Sequence, residues 1–181
     1  MSSHFHHTGE ESFYRGVSGS GTIFFTSCNM RCAFWQNGDI STDKDNGEEV
    51  DARVLAAMAW TLRREGCHNI NWVGGEVVIH LHTIAHAIAL LGRGFVPSTA
   101  ELERARSTKA DRFLSFLREV PEFAEYGGGF NVPIQWNSNF FMTPESMKIL
   151  RILTDVWLPD LKFGPGRCAM TLAKNRGTGR R

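Results

Sequence analysis

The chain has 181 residues, 42% hydrophobic and 22% charged, with a formal net charge of +1. That length fits one domain able to bury a sizeable core, and the composition is that of an ordinary folded protein. A balance so close to neutral excludes a strong pull toward nucleic acid or anionic lipid, and no apolar run reaches the length of a membrane span.

The N-terminus, "MSSHFHHTGEESF", lacks the apolar segment of a signal peptide, so the expected location is cytoplasmic. Its histidines at 4, 6 and 7 resemble a tag or a weak surface metal site, and residues 1–18 read as an unstructured N-terminal segment. "TIFFTS" (Thr22–Ser27) is β-branched and aromatic and follows a glycine, which predicts a buried strand. The loop after it carries Cys28 and Cys32.

"DARVLAAMAWTLRREG" (Asp51–Gly66) places Val54, Leu55, Met58, Ala59 and Leu62 on one helical face, with Asp51 as N-cap and Gly66 as stop. "NINWVGG" (Asn69–Gly75) predicts the second strand, and a helix from about His80 to Leu91 follows it. Residues from about 94 to 129 break the strand–helix rhythm and read as a helical insertion, with Phe113, Leu114, Phe116 and Leu117 as a docking patch. "NVPIQWNSN" then predicts a third strand. "TPESMKILRILT" predicts a helix capped by Thr143 with Pro144 in its first turn, and "VWLPDLK" a fourth strand. The end, "KNRGTGRR", reads as a basic solvated tail over 175–181.

Strands alternating with helices predict an α/β fold with a parallel sheet and helices outside it. Ligands in such folds gather at the C-terminal ends of the strands. Four clusters are predicted at that edge: Cys28 after the first strand, Gly74–Glu76 after the second, Asn137–Asn139 after the third and Asp160–Lys162 after the fourth.

Four cysteines, two of them in one short loop, suit metal binding or thiol chemistry better than a disulfide scaffold. Thiolates favour a soft metal, an iron–sulfur cluster or zinc. Structural zinc needs four ligands, and nothing near Cys28 and Cys32 supplies two more. Trp35 cannot serve, since indole offers a donor and no lone pair. Cys67 reads as a small core residue. Cys168 follows the fourth strand on the site side and would reach it only if its loop folded across. His80 and His82 read as hydrogen-bonding residues. Glycines in "WVGGE" allow close ligand approach, Glu76 suits an ammonium group, and Asp160 with Lys162 suits a zwitterion or a ribose.

The ordered segments "HTGEESF", "GSGTIFFTSCNMRCAFWQNGDIS", "GCHNINWVGGE", "PIQWNSNFFM" and "DVWLPDLKFG" resemble the radical S-adenosylmethionine proteins, in the branch related to pyruvate formate-lyase-activating enzymes. The likeness runs from His4 to about Lys174, apart from the insertion. It implies a partial parallel (β/α) barrel, here about four βα units over an incomplete core of 19–174. It also implies a [4Fe–4S] cluster and S-adenosylmethionine, which together yield a 5′-deoxyadenosyl radical that abstracts hydrogen from substrate. By position, Cys28 and Cys32 correspond to the first two cluster ligands, and Trp35 stands at the third. Phe34 corresponds to an aromatic on the adenine, and Gly74, Gly75 and Glu76 to the segment receiving the methionyl amino group. Asn137 and Asn139 correspond to ribose or carboxylate contacts, and Asp160 and Lys162 to a cofactor-contacting pair. Implied partners are a glycyl-radical enzyme, another protein or a small molecule as substrate, and flavodoxin or ferredoxin as electron donor. The sequence departs from the family's pattern at Trp35, at Val77 where a proline is usual, and in its number of βα units. The alternative expectation is therefore a catalytically inactive or truncated relative without a complete cluster site.

Overall fold

The computed structural model describes residues 1–34, 41, 45, 47–107, 130–163 and 167–173. Trp35, the docking patch at 113–117 and the basic tail lie outside the described residues. The described residues form a five-stranded sheet in simple sequence order. β1 (Ser3–His7) runs antiparallel to β2 (Ser20–Phe25), and β2, β3 (Asn69–Gly74), β4 (Ile134–Ser138) and β5 (Val156–Pro159) are parallel. An α/β architecture with a mostly parallel sheet is therefore present.

Alternation along the strands gives the sheet two unlike faces. On one, Ile23 pairs across to Trp72, which pairs to Trp136, and these join Phe25, Ile70 and Ile134 in the apolar core. Helices close this face. α2 (Ala52–Arg64) presents Val54, Leu55, Met58, Ala59 and Leu62, all buried, as their spacing predicts. Asp51 caps it by accepting from the backbone N–H groups of Arg53 and Val54 at 2.9 Å each, and Gly66 leaves it with a positive φ of 91°. α2 packs on α3 (Leu81–Gly92), which follows a short 3-10 turn over Val77–His80, and on α4 (Thr99–Ser107). The start of the predicted insertion is thus docked on the core helix, with Ala105 buried and Glu101 paired to Arg53. α5 (Pro144–Leu153) begins as predicted, with Thr143 accepting from Ser146 N–H at 3.2 Å. Among the described residues no helix is long and apolar enough to cross a membrane.

The N-terminus corrects the expectation of an unstructured segment. β1 pairs residue by residue with β2, His4 is buried opposite Ile23, and Phe5 stacks on Phe24 with ring centroids 5.5 Å apart. Met1 is buried too, its ammonium donating to the Glu48 carbonyl at 2.8 Å. Tertiary pairing ordered a stretch whose local composition carried no strand pattern. Residues 8–18, including the short α1 (Ser12–Arg15), then strap across the opposite, polar face of the sheet. The Asn69 side chain anchors this strap by donating to the Tyr14 carbonyl.

Candidate functional site

The four parallel strands end side by side, and a cavity of about 570 Å³ opens there. Each predicted cluster reaches it: Cys28 and Cys32 after β2, Gly74 and Gly75 after β3, Asn137 and Asn139 at β4, and Asp160 and Lys162 after β5. Parallel pairing forces this convergence, because every strand presents its C-terminal end to the same edge.

The glycines let β2 and β3 close at the floor of the site. A Cβ on Gly74 would strike the Phe25 backbone, one on Gly75 would strike the Ser27 carbonyl, and Gly74 holds a positive φ of 135°. Gly75 N–H donates to Phe25 O at 3.0 Å, and Glu76 N–H to Ser27 O at 2.8 Å.

Glu76 departs from its expected role as a receiver of an ammonium group. Its side chain is turned inward, 1% exposed, and is not part of the cavity wall. One carboxylate oxygen accepts from Ser138 Oγ at 2.7 Å and Val78 N–H at 3.1 Å, and the other from Asn139 N–H at 2.8 Å. The side chain braces the end of β3 to the end of β4 and so fixes Asn139. Burial pushes its carboxyl above the usual range, against the three hydrogen bonds that pull it down. Phe34 also stands apart from the expected adenine contact: it is 53% exposed, off the cavity, and tilted against Phe163 at 5.6 Å.

Cys28 Sγ accepts from Met30 N–H at 3.3 Å and from Asn139 Nδ2 at 3.6 Å. Burial raises its thiol above the ordinary value. Burial raises Cys32 as well, with Lys162 pulling it down and Asp160 pushing it up. Lys162 Nζ donates to Asp160 Oδ2 at 2.7 Å, so the charged pair sits beside the second thiol. Asn139 is held twice more, through Nδ2 to Asn29 Oδ1 at 3.1 Å and through Oδ1 from Phe141 N–H at 2.7 Å.

This donor set does not fit a three-cysteine cluster site. It offers two thiols, and among the described residues no three His, Cys, Asp or Glu side chains converge to hold a metal ion. The C-terminal helix α6 (Cys168–Leu172) does fold across the loop: Arg31 N–H donates to Ala173 O at 3.0 Å and Ala33 N–H to Leu172 O at 2.8 Å. Its Cys168 thiol is nevertheless exposed and outside any such group. Cys67 is buried, its thiol pushed far up by burial, as a core residue would be. His80 is occupied by a hydrogen bond from Nε2 to the Thr26 carbonyl at 3.0 Å.

Among the wall residues that were not predicted from sequence are two carboxylates. Glu10 and Glu11 line the cavity from the strap, and burial raises the Glu10 carboxyl. Their signal was the acidic pair in "GEE", hidden because the segment around it carried no pattern of regular structure.

No family model matches the chain. It is similar to an uncharacterized protein of Methanocaldococcus jannaschii, 31% identical over 178 residues, an alignment covering 96% of this chain and 41% of that relative. The chain thus spans about two fifths of the length of the curated relative it matches.

Proposed function

We propose that the chain carries the S-adenosylmethionine-binding part of a radical S-adenosylmethionine protein whose partial (β/α) barrel begins with these four parallel strands. We further propose that its cluster site, as the sequence stands, is one thiolate short. One observation carries the reading: eight residues named from that resemblance, scattered from Cys28 to Lys162, line one cavity of about 570 Å³. The size lies within the usual range for small-molecule sites.

Each wall has a role toward such a ligand. Lys162 supplies a cation for a carboxylate, and Asp160 an acceptor for an amine or a ribose hydroxyl. Asn137 and Asn139 provide both donors and acceptors. Gly74 and Gly75 bring bare backbone to the ligand, and Glu76 acts behind them by holding Asn139. Cys28 and Cys32 supply two thiolates once deprotonated, and binding a metal there would release protons from thiols that burial holds protonated. No step of radical chemistry is assigned through a cluster that the donor set leaves incomplete. This favours the second expectation, a relative without a complete cluster site.

The test is anaerobic. The chain and Trp35→Cys are each treated with iron and sulfide, and S-adenosylmethionine binding is measured by calorimetry. The expected result is four-iron absorbance in Trp35→Cys and not in the parent. S-adenosylmethionine should bind both, more tightly when the cluster is present, and Lys162→Ala should weaken binding about tenfold in each, as for loss of a charge-assisted hydrogen bond. A complete four-iron cluster in the parent would refute the missing-thiolate reading. Absence of S-adenosylmethionine binding in both proteins would refute the cofactor reading.

A further inference from the structure

Among the described residues, the wall of the 570 Å³ cavity carries three carboxylates: Asp160 from the end of β5, and Glu10 and Glu11 from the strap. Asp160 is engaged, its Oδ2 accepting from Lys162 Nζ at 2.7 Å. Glu76, just behind the wall, spends both oxygens on Ser138, Val78 and Asn139. Glu10 and Glu11 differ from both. Among the described residues neither of their carboxylates makes a hydrogen bond or an ion pair. Burial raises the half-buried Glu10 carboxyl, His7 opposes this, and the adjacent Glu11 adds to it. Two neighbouring like charges facing a cavity carry a cost that a bound cation would relieve. The backbone that bears them is held in place. Glu11 O accepts from Tyr14 N–H at 2.9 Å and Arg15 N–H at 3.1 Å, Glu10 O accepts from Arg15 Nε at 3.0 Å, and Asn69 ties Tyr14 to the sheet.

We infer that Glu10 and Glu11 receive the ammonium group at the amino-acid end of the ligand, the role expected of Glu76. The inference rests on the S-adenosylmethionine reading of the cavity, and it completes that site rather than adding another. At neutral pH the ligand's amino group is a cation and its carboxylate an anion. Each loses hydration in the cavity and needs a partner of opposite charge. Lys162 meets the carboxylate. Asp160, already neutralised by Lys162, keeps its second oxygen for a hydroxyl. The other charged groups on the wall are Arg31, of the same sign as the ammonium, and the two strap glutamates. The strap is then a working wall of the site, and β1 serves function by holding the strap's start beside the strand ends.

The experiment measures, by calorimetry on the full chain, the binding of S-adenosylmethionine and of its desamino analogue, in which hydrogen replaces the amino group. Adenosine, sulfonium and carboxylate are common to both, so the ratio of the two affinities isolates the ammonium. The parent should favour S-adenosylmethionine about tenfold or more, as for one charge-assisted hydrogen bond. Glu10→Gln combined with Glu11→Gln keeps the shape and removes both charges. This double variant should melt as the parent does and bind the two compounds within about twofold of each other. If it unfolds, the ratio is read from the two single variants, at least one of which should lower it severalfold. Lys162→Ala and Glu76→Gln should weaken both compounds alike and keep the ratio. A double variant with the parent's ratio overturns the inference, and so does a Glu76→Gln variant that loses it. A parent that binds both compounds equally overturns the inference and leaves the cofactor reading standing. A parent that binds neither overturns the cofactor reading, and the inference with it.

Discussion

At Gly75 one methyl group decides whether the edges of β2 and β3 can meet. The added Cβ would be driven into the Ser27 carbonyl oxygen, a backbone atom that cannot swing aside. Gly75→Ala is therefore expected to destabilise the chain by about 3 kcal/mol, at the upper end of overpacking effects. Denaturant unfolding checks this, and a loss below about 0.5 kcal/mol, typical of unconstrained surface sites, would show that the strand ends have room to part. The glycine pair was legible in "WVGGE", but for a different reason: close approach of a ligand was expected, and close approach of a neighbouring strand is what requires it. Glu76 shows the same limit. A glutamate after two glycines at a strand end reads as a ligand contact, and only the position of Ser138 at the end of β4 and of Asn139 just after it reveals it as a brace.

Among the elements, β1 is the one that sequence left invisible, and its buried histidine gives it a measurable signature. Burial lowers the His4 pKa from 6.5 to about 4, and its Nδ1 has no partner. Between those values the unfolded chain binds a proton that the folded chain refuses, so stability falls as pH drops from about 6.5 toward 4. Two to three pKa units correspond to on the order of 3 kcal/mol across that window. Urea unfolding at stepped pH should show this loss in the parent, and the parent-minus-variant difference for His4→Leu should isolate it from the other titrating groups. Equal slopes in the two proteins would mean that His4 is solvated in solution. α2 and α5, by contrast, were legible almost to the residue, because their caps at Asp51 and Thr143 and their apolar spacing are local properties of the chain. β1 depends on a partner strand that begins thirteen residues after its last residue, and the strap's carboxylates reach the cavity only once that pairing exists. Nothing local encodes either.

Taken whole, the sheet is sealed on one side and open on the other. β1 protects the β2 edge, whereas β5, among the described residues, pairs only with β4. Beside that edge α5 shows Ile149 and Ile152, one turn apart, with Ile152 85% exposed, and Leu161 after β5 is 94% exposed. An unpaired strand edge flanked by exposed apolar side chains is a template for association, which natural sheets normally blunt with charge. The chain is therefore expected to self-associate as its concentration rises, a behaviour that light scattering coupled to gel filtration reads directly. Ile152→Lys places a charge on the exposed turn of α5 without touching the core, so it should shift the population toward monomer while leaving the unfolding midpoint within the small range of surface substitutions. If the parent stays monomeric throughout the accessible concentration range, or if Ile152→Lys associates as strongly as the parent, the β5 side is not the sticky face. The burden then moves to the apolar residues of the strap, Phe13 and Val17, which are also exposed.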